Sequence, residues 1–231
     1  GEPVFGQAAT LTTEGFATLE GGELDTELAI RRLDDPGGSL TLQASFSNRT
    51  RQLALDLALS EPEGGVVASM LDIEGRPAID MTLAGAGPLE DLDIAFDLAA
   101  NDRSLARGEV ALRESDDGLA FSADFTGELS PLIPADYRDF FAGESSVRVA
   151  GVNLAAGGLR LDEIAVAAEA LDLDGSLETG PDRFLRRLAL TGRVGSEENG
   201  PVTLPVPGGE TTLRSGTLDV SYGEGDRWRG D

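Results

Sequence analysis

The chain has 231 residues, 40% of them hydrophobic, enough to build a core in one large all-β domain or two smaller ones. Its 42 acidic residues against 18 basic ones give a net charge of -24, a surface that repels nucleic-acid phosphates and anionic headgroups. Cys, His and Lys are absent, which removes disulfides, zinc sites, thiol nucleophiles, imidazole bases, Schiff-base chemistry and a P-loop lysine.

The start, Gly1 to Phe5, has neither a charged n-region nor an apolar h-region, and no apolar run is long enough to cross a bilayer. Beginning at Gly1 rather than Met, the chain reads as a piece of a longer protein whose anchor lies elsewhere. Period-two alternation then dominates. Leu40, Leu42, Ala44 and Phe46 share one face; Leu53, Leu55, Leu57 and Leu59 follow on the next strand. Ile79, Met81 and Leu83 alternate with Asp80 and Thr82, and Leu92, Ile94, Phe96 and Leu98 alternate with Asp93, Ala95 and Asp97. Leu119 to Phe125, Ile164 to Ala168, Leu171 to Leu173, Leu188 to Leu190, Val202 to Val206 and Leu218 to Tyr222 repeat the pattern. One apolar face and one face of Asp, Thr and Ser describe an antiparallel sheet wet on one side.

Gly-rich punctuation separates the runs, at Gly21-Gly22, Asp35-Pro36-Gly37-Gly38, Gly85-Ala86-Gly87-Pro88, Asp116-Asp117-Gly118, Gly157-Gly158, Gly180-Pro181 and Gly208-Gly209. These predict a meander of hairpins. Two segments break the alternation and predict short helices: Gly64 to Asp72, and Ser130 to Phe141 with Ser130 as N-cap and Pro131 at the first helical position. Both are expected to cover a sheet end or edge. The strand, Gly-Pro, strand order of Met81 to Phe96 resembles that of Gly175 to Leu190, a degenerate hairpin repeat. One segment spanning 1–231 is expected, with a weak seam near 143–146.

The carboxylates select no chemistry. Asp172, Asp174 and Glu178 lack the glycine spacing of a calcium loop and read as the wet side of a strand. Asp34-Asp35, Glu90-Asp91 and Asp116-Asp117 fall in turns, where Asp satisfies backbone groups. The doublets Arg31-Arg32 and Arg186-Arg187 are expected in surface ion pairs with the abundant acids. Asn48-Arg49-Thr50 fits a glycosylation acceptor by pattern alone, and Trp228 lies between two arginines near the end. No catalytic residue, metal ligand set or cofactor loop stands out, so an enzyme is not expected. The informative feature is the aliphatic face: too few helical segments exist to cover it, so the sheet closes on itself or curls into an apolar trough.

The run from Glu61 to Ile73, the run Gly75-Arg76-Pro77-Ala78-Ile79-Asp80-Met81-Thr82-Leu83-Ala84-Gly85-Ala86-Gly87-Pro88-Leu89, and Leu129-Ser130-Pro131-Leu132-Ile133-Pro134-Ala135-Asp136-Tyr137-Arg138-Asp139-Phe140-Phe141-Ala142-Gly143 together resemble the TamB family. TamB is the inner-membrane subunit of the translocation and assembly module of Gram-negative bacteria. Its wider relatives are the AsmA-like proteins and the bridge-like lipid transfer proteins. The likeness is best from about Leu53 to Gly192. It implies a periplasmic β-taco anchored to the inner membrane in the full-length protein, whose aliphatic groove carries phospholipid between the membranes. It also implies support of outer-membrane protein assembly with the barrel TamA, engaged through parts absent from this chain.

The combined expectation is an all-β, mostly antiparallel curved sheet with its Leu-rich face inward and two short helices. Acyl chains would lie on Leu53, Leu55, Leu57, Leu59, Ile79, Met81, Leu83, Leu92, Ile94 and Phe96, with no cofactor, no metal and no nucleic-acid partner. Two alternatives stay open at this point: a closed β-sandwich or solenoid spacer without ligand, and a secreted adhesin-like β module.

Overall fold

The computed structural model describes residues 9–35, 37–70, 73–133, 135–195, 201–204, 211–223 and 229–230. The chain is all-β, its main sheet antiparallel and not closed. It divides into two compact units, Gly1–Ala111 and Leu112–Asp231. The division falls within a strand, whereas residues 142–144, beside the expected seam, form a loop.

In the first unit, β1 (Leu11–Glu20), β2 (Glu23–Arg32), β3 (Ser39–Ser47), β4 (Gln52–Glu61), β5 (Ile79–Pro88) and β6 (Asp91–Ala100) each pair antiparallel with the next. β7 (Arg103–Ser115) follows β6 and runs across the division. Gly21 and Gly22 turn β1 into β2 with φ of 62° and 84°, as a tight two-residue hairpin with right-handed twist requires. Asn101 and Asp102 do the same before β7, at φ of 49° and 61°, a conformation their short polar side chains tolerate.

Gly85-Ala86-Gly87-Pro88 is not the turn its composition predicts. It belongs to β5, and Leu89-Glu90 makes the turn. Gly180-Pro181 does lie at a turn, so Met81–Phe96 and Gly175–Leu190 both run strand, turn, strand but place their Gly-Pro pairs at different positions. The β-register explains the glycine: Gly85 stands between Leu55 on β4 and Ile94 on β6. A Cβ at Gly85 would lie 2.5 Å from the Asp93 carbonyl oxygen and 2.9 Å from Ile94 Cγ1. Close backbone approach, not a turn, demands glycine there.

The first expected helix is α1 (Val66–Met70); Leu71 and Asp72 of that reading lie outside the described residues. Its first N–H groups are held from a distance: Glu61 Oε1 accepts from Val66 N at 2.9 Å and Oε2 accepts from Val67 N at 2.8 Å. Val66 and Ala68 are buried.

The second unit contains β8 (Gly118–Gly127), β9 (Ser145–Leu154), β10 (Leu159–Ala168), β11 (Leu171–Thr179), β12 (Leu185–Val194), β15 (Gly216–Gly223) and β16 (Arg229–Gly230), again paired in that order. A separate hairpin, β13 (Val202–Leu204) and β14 (Thr211–Leu213), is inserted before β15. In β10 the register shifts between Leu161 and Ile164. The extra residue keeps Leu159, Leu161, Ile164 and Val166 on one face although their spacing changes from two to three.

The second expected helix is not α-helical. It consists of 3-10 turns, Ser130–Leu132 and Ala135–Phe141. Leu129, not Ser130, is the capping position, and no side chain caps it. Pro131, and Pro134 in the sequence between the two turns, lack the N–H groups that a continuous α-helical ladder needs. The segment packs Phe140 against Ala170 and Val202, with Phe141, Leu171, Val194 and Leu213 around them, so it covers one end of this unit's sheet. The N-terminal stretch, Pro36, Val206, Gly208-Gly209 and Trp228 lie outside the described residues.

Candidate apolar face

All ten residues expected on the acyl-binding face fall within the first unit and on one face of its sheet. The register aligns Leu57 with Leu83 and Leu83 with Phe96; Leu59 with Met81; Leu55 with Gly85 and Gly85 with Ile94; and Leu53 with Gly87. Ile79 pairs with Glu61 and Ala100, and Leu92 lies two residues before Ile94 on β6. The rows continue beyond the expected set. Leu40, Leu42 and Phe46 oppose Leu59, Leu57 and Leu53, and on β2 Ile30, Leu28 and Leu24 extend the same rows. The signal for the β2 residues was present as Leu24, Leu28 and Ile30 at even spacing.

Burial is graded along this face. Ile79 and Leu92 are each 1% exposed and Leu59 is 7% exposed. The remaining seven, Leu53, Leu55, Leu57, Met81, Leu83, Ile94 and Phe96, are only half-buried. Along β3, β5 and β6 the opposite face is mostly exposed, with Thr41, Gln43, Asp80, Thr82, Asp93 and Asp97 in water. A two-layer sandwich buries its central strands on the inner face. Here the middle of the apolar face is neither sealed like a core nor bare like the acidic face.

Two hollows mark the faces. On the acidic side a depression of about 680 Å³ lies over Ala54, Ala84 and Ala86, ringed by Phe16, Asp25, Glu27, Gln43 and Asp56. Its depth follows from small alanines among longer neighbours. On the apolar side a cavity of about 190 Å³ lies between α1 and the sheet, lined by Leu11, Ile30, Arg32, Leu40, Leu59, Glu61, Val66, Val67 and Met70. The helix segment thus covers one end of the apolar face, as its pattern-breaking sequence suggested.

The arginines divide into two kinds. Arg148 Nε donates to Asp124 at 2.9 Å and its Nη1 lies 3.5 Å from Glu163, bridging β8, β9 and β10 on the wet side. Arg193 pairs with Asp172 at 2.9 Å, which gives that aspartate a plain cross-strand role. Arg186 pairs with Asp182 at 2.7 Å, as expected for a surface pair. Arg32 is different: its side chain is 5% exposed, so its bond to Asp34 is not a surface pair. Sequence reasoning missed this, and missed buried Glu61, although period two marks both: Arg32 continues Leu28 and Ile30, and Glu61 continues Leu53, Leu55, Leu57 and Leu59. Among the described residues no group of acids is placed to hold a metal ion.

Arg32 Nε and Nη2 both donate to Asp34 Oδ2, at 2.9 and 2.8 Å, and Asp34 Oδ1 accepts from Thr10 N. The bond from Arg32 chiefly, then that from Thr10, hold the Asp34 carboxyl below its ordinary value of 3.8. A depressed carboxylate contributes stability that is in place above the unfolded value and is lost as pH falls through the folded one. The denaturation midpoint should therefore drop below about pH 4, and Asp34→Asn should flatten that drop while lowering the midpoint at neutral pH. Urea titrations of both proteins across the acid range check this; parallel curves would remove the linkage.

No family model, curated protein or solved structure matches the chain. What the geometry of the first unit defines is a class: an antiparallel sheet with a half-shielded apolar face and an acidic back.

Proposed function

We propose that this chain is one stretch of an apolar conduit that carries phospholipid acyl chains, in the manner of the TamB-like proteins it resembles. The observation that carries the reading is the half-buried middle of the aliphatic face, from Leu53 to Phe96, in a sheet that is not closed. Acyl chains would lie on the rows Leu57–Leu83–Phe96 and Leu55–Gly85–Ile94, with headgroups toward the polar rim. Each buried methylene gains about 0.8 kcal/mol. Because neighbouring rows are chemically alike, this gain favours occupancy without favouring one position, which permits sliding. No catalytic group takes part. The wider setting belongs to the same proposal: a periplasmic location, a membrane anchor outside this chain, phospholipid movement between inner and outer membrane, and support of outer-membrane protein assembly with a barrel partner bound elsewhere.

The test is native mass spectrometry of detergent-free protein, with lipid analysis of its organic extract. Copurified phospholipid is expected at near one per chain or more. Leu55→Trp with Ile94→Trp should expel it, because both side chains flank the space above Gly85. A folded wild type that carries no phospholipid and takes up none when offered would replace this reading with the spacer.

A further inference from the structure

The cavity beneath α1 contains a polar feature that the acyl-carrying reading does not use. Arg32 lines it, with a side chain 5% exposed. Two of its nitrogens are spent on Asp34. The third, Nη1, is buried and has no hydrogen-bond partner. A buried guanidinium nitrogen left without an acceptor is costly, since desolvation is not recovered.

The surroundings select the missing acceptor. Water is a poor fit, because a buried water needs two or more polar partners and the cavity offers few. Its apolar walls are Leu11, Ile30, Leu40, Leu59, Val66, Val67 and Met70, with Gly38 and Ser39 at the edge. The Gly38 carbonyl already accepts from Arg32 N at 2.9 Å, and Ser39 is exposed, in register with Arg31 and Ser60 on the other face. Glu61, the other charged wall residue, already directs both carboxylate oxygens at the N–H groups of Val66 and Val67. An anion is a poor fit too. Asp34 already balances the Arg32 charge, and Glu61 places a second carboxylate on the cavity wall. A neutral oxygen acceptor attached to aliphatic carbon satisfies both conditions.

We infer that Arg32 Nη1 receives the ester carbonyl oxygen of an acyl lipid, fixing the head of the chain at this end of the apolar face. The inference rests on the acyl-carrying reading and adds to it a fixed station. From Arg32 the face runs through Ile30, Leu40, Leu59 and Met81, so the chain beyond the carbonyl continues onto the rows described above. Solvent does not reach Nη1 in the present arrangement, so entry moves whatever covers it. Met70, 53% exposed, lies on the five-residue helix that forms one wall.

The experiment compares a short-chain diacyl phosphatidylcholine with its dialkyl ether counterpart, which has the same headgroup and chains but no ester carbonyl. Calorimetric titration of the whole chain below the lipids' aggregation threshold reads both affinities. The ester lipid should bind roughly 10-fold tighter, the worth of a hydrogen bond from a charged donor. Arg32→Lys, which keeps the charge beside Asp34, should level the two. Met70→Trp, which leaves Arg32 and Asp34 intact and fills the cavity, should level them as well and serves if Arg32→Lys does not fold. Equal binding of both lipids by the wild type overturns the carbonyl site and leaves the conduit standing. An ester preference that survives in folded Arg32→Lys also overturns it. Failure to bind either lipid overturns the conduit and the site together.

Discussion

Ile79→Ala is expected to cost about 2–5 kcal/mol, while Leu83→Ala, four residues along the same strand and on the same face, costs about 1 kcal/mol. The two differ in cover, not in chemistry. Ile79 is 1% exposed and pairs with Glu61 and Ala100 at the end of the face where α1 begins. Truncation there leaves a void that the surrounding strand ends cannot fill. Leu83 pairs with Leu57 and Phe96 in the half-buried middle, where solvent or a ligand can occupy the space. Urea denaturation of both variants, without lipid, measures the difference. Equal, large losses would mean that the middle of the face is sealed as tightly as its end, and the open conduit would fall with that result. A bound acyl chain should raise the cost of Leu83→Ala toward that of Ile79→Ala, because a ligand that binds only the folded state adds to its stability.

Gly151→Val is expected to destabilise the second unit by about 3 kcal/mol, near the top of the usual cost of over-packing. Gly151 pairs with Phe121 on β8 and Leu161 on β10. A Cβ there would run into the Arg160 carbonyl oxygen and lie 3.0 Å from Leu161 Cα. The obstruction is backbone, which cannot turn aside as a side chain would. Valine's preference for strands recovers at most about 1 kcal/mol. Gly87→Ala is the contrast. It also lies in a strand, but its added Cβ would stand 3.1 Å from the Asp91 carbonyl oxygen and 3.6 Å from Leu92 Cδ1, a contact relieved by a small shift. Calorimetric unfolding should show the transition of the Gly151 variant lowered by several degrees and that of the Gly87 variant nearly unchanged. A Gly151→Val protein as stable as the wild type would show that the sheet has room to relax there.

Alternation alone marks β3, β4, β5, β6 and β8 in the sequence, because period two is the geometry of a strand with one shielded face. The same pattern places all ten candidate residues on one side, and the hairpin order follows from Gly21-Gly22, Asp116-Asp117-Gly118 and Gly157-Gly158. Where a second rule intervenes, the signal weakens. β7 buries the adjacent residues Leu105 and Ala106, so neighbouring positions on opposite faces are both apolar and the period is lost. β10 shows its alternation only from Ile164 to Ala168, because the bulge at Asp162–Glu163 puts Leu159 and Leu161 out of phase with it.

Four features belong to the tertiary structure. Gly85-Ala86-Gly87 reads locally as a turn, yet lies in a strand, and at Gly85 the neighbouring backbone approaches too closely for a side chain. Ser130 to Phe141 reads as a helix, yet forms 3-10 turns that cover a sheet end through Phe140. Arg32 reads as half of a surface ion pair and Glu61 is given no role, yet both lie at the covered end of the apolar face, Glu61 capping α1 and Arg32 presenting an unpaired donor. The ten apolar residues read alike, yet α1 covers one end of their face and leaves the middle half-buried. Composition and period determined which side chains share a face. Which of them are sealed, and which stay half-exposed, was decided by long-range register and by what packs across the strand ends, and neither is a property of any local stretch of sequence.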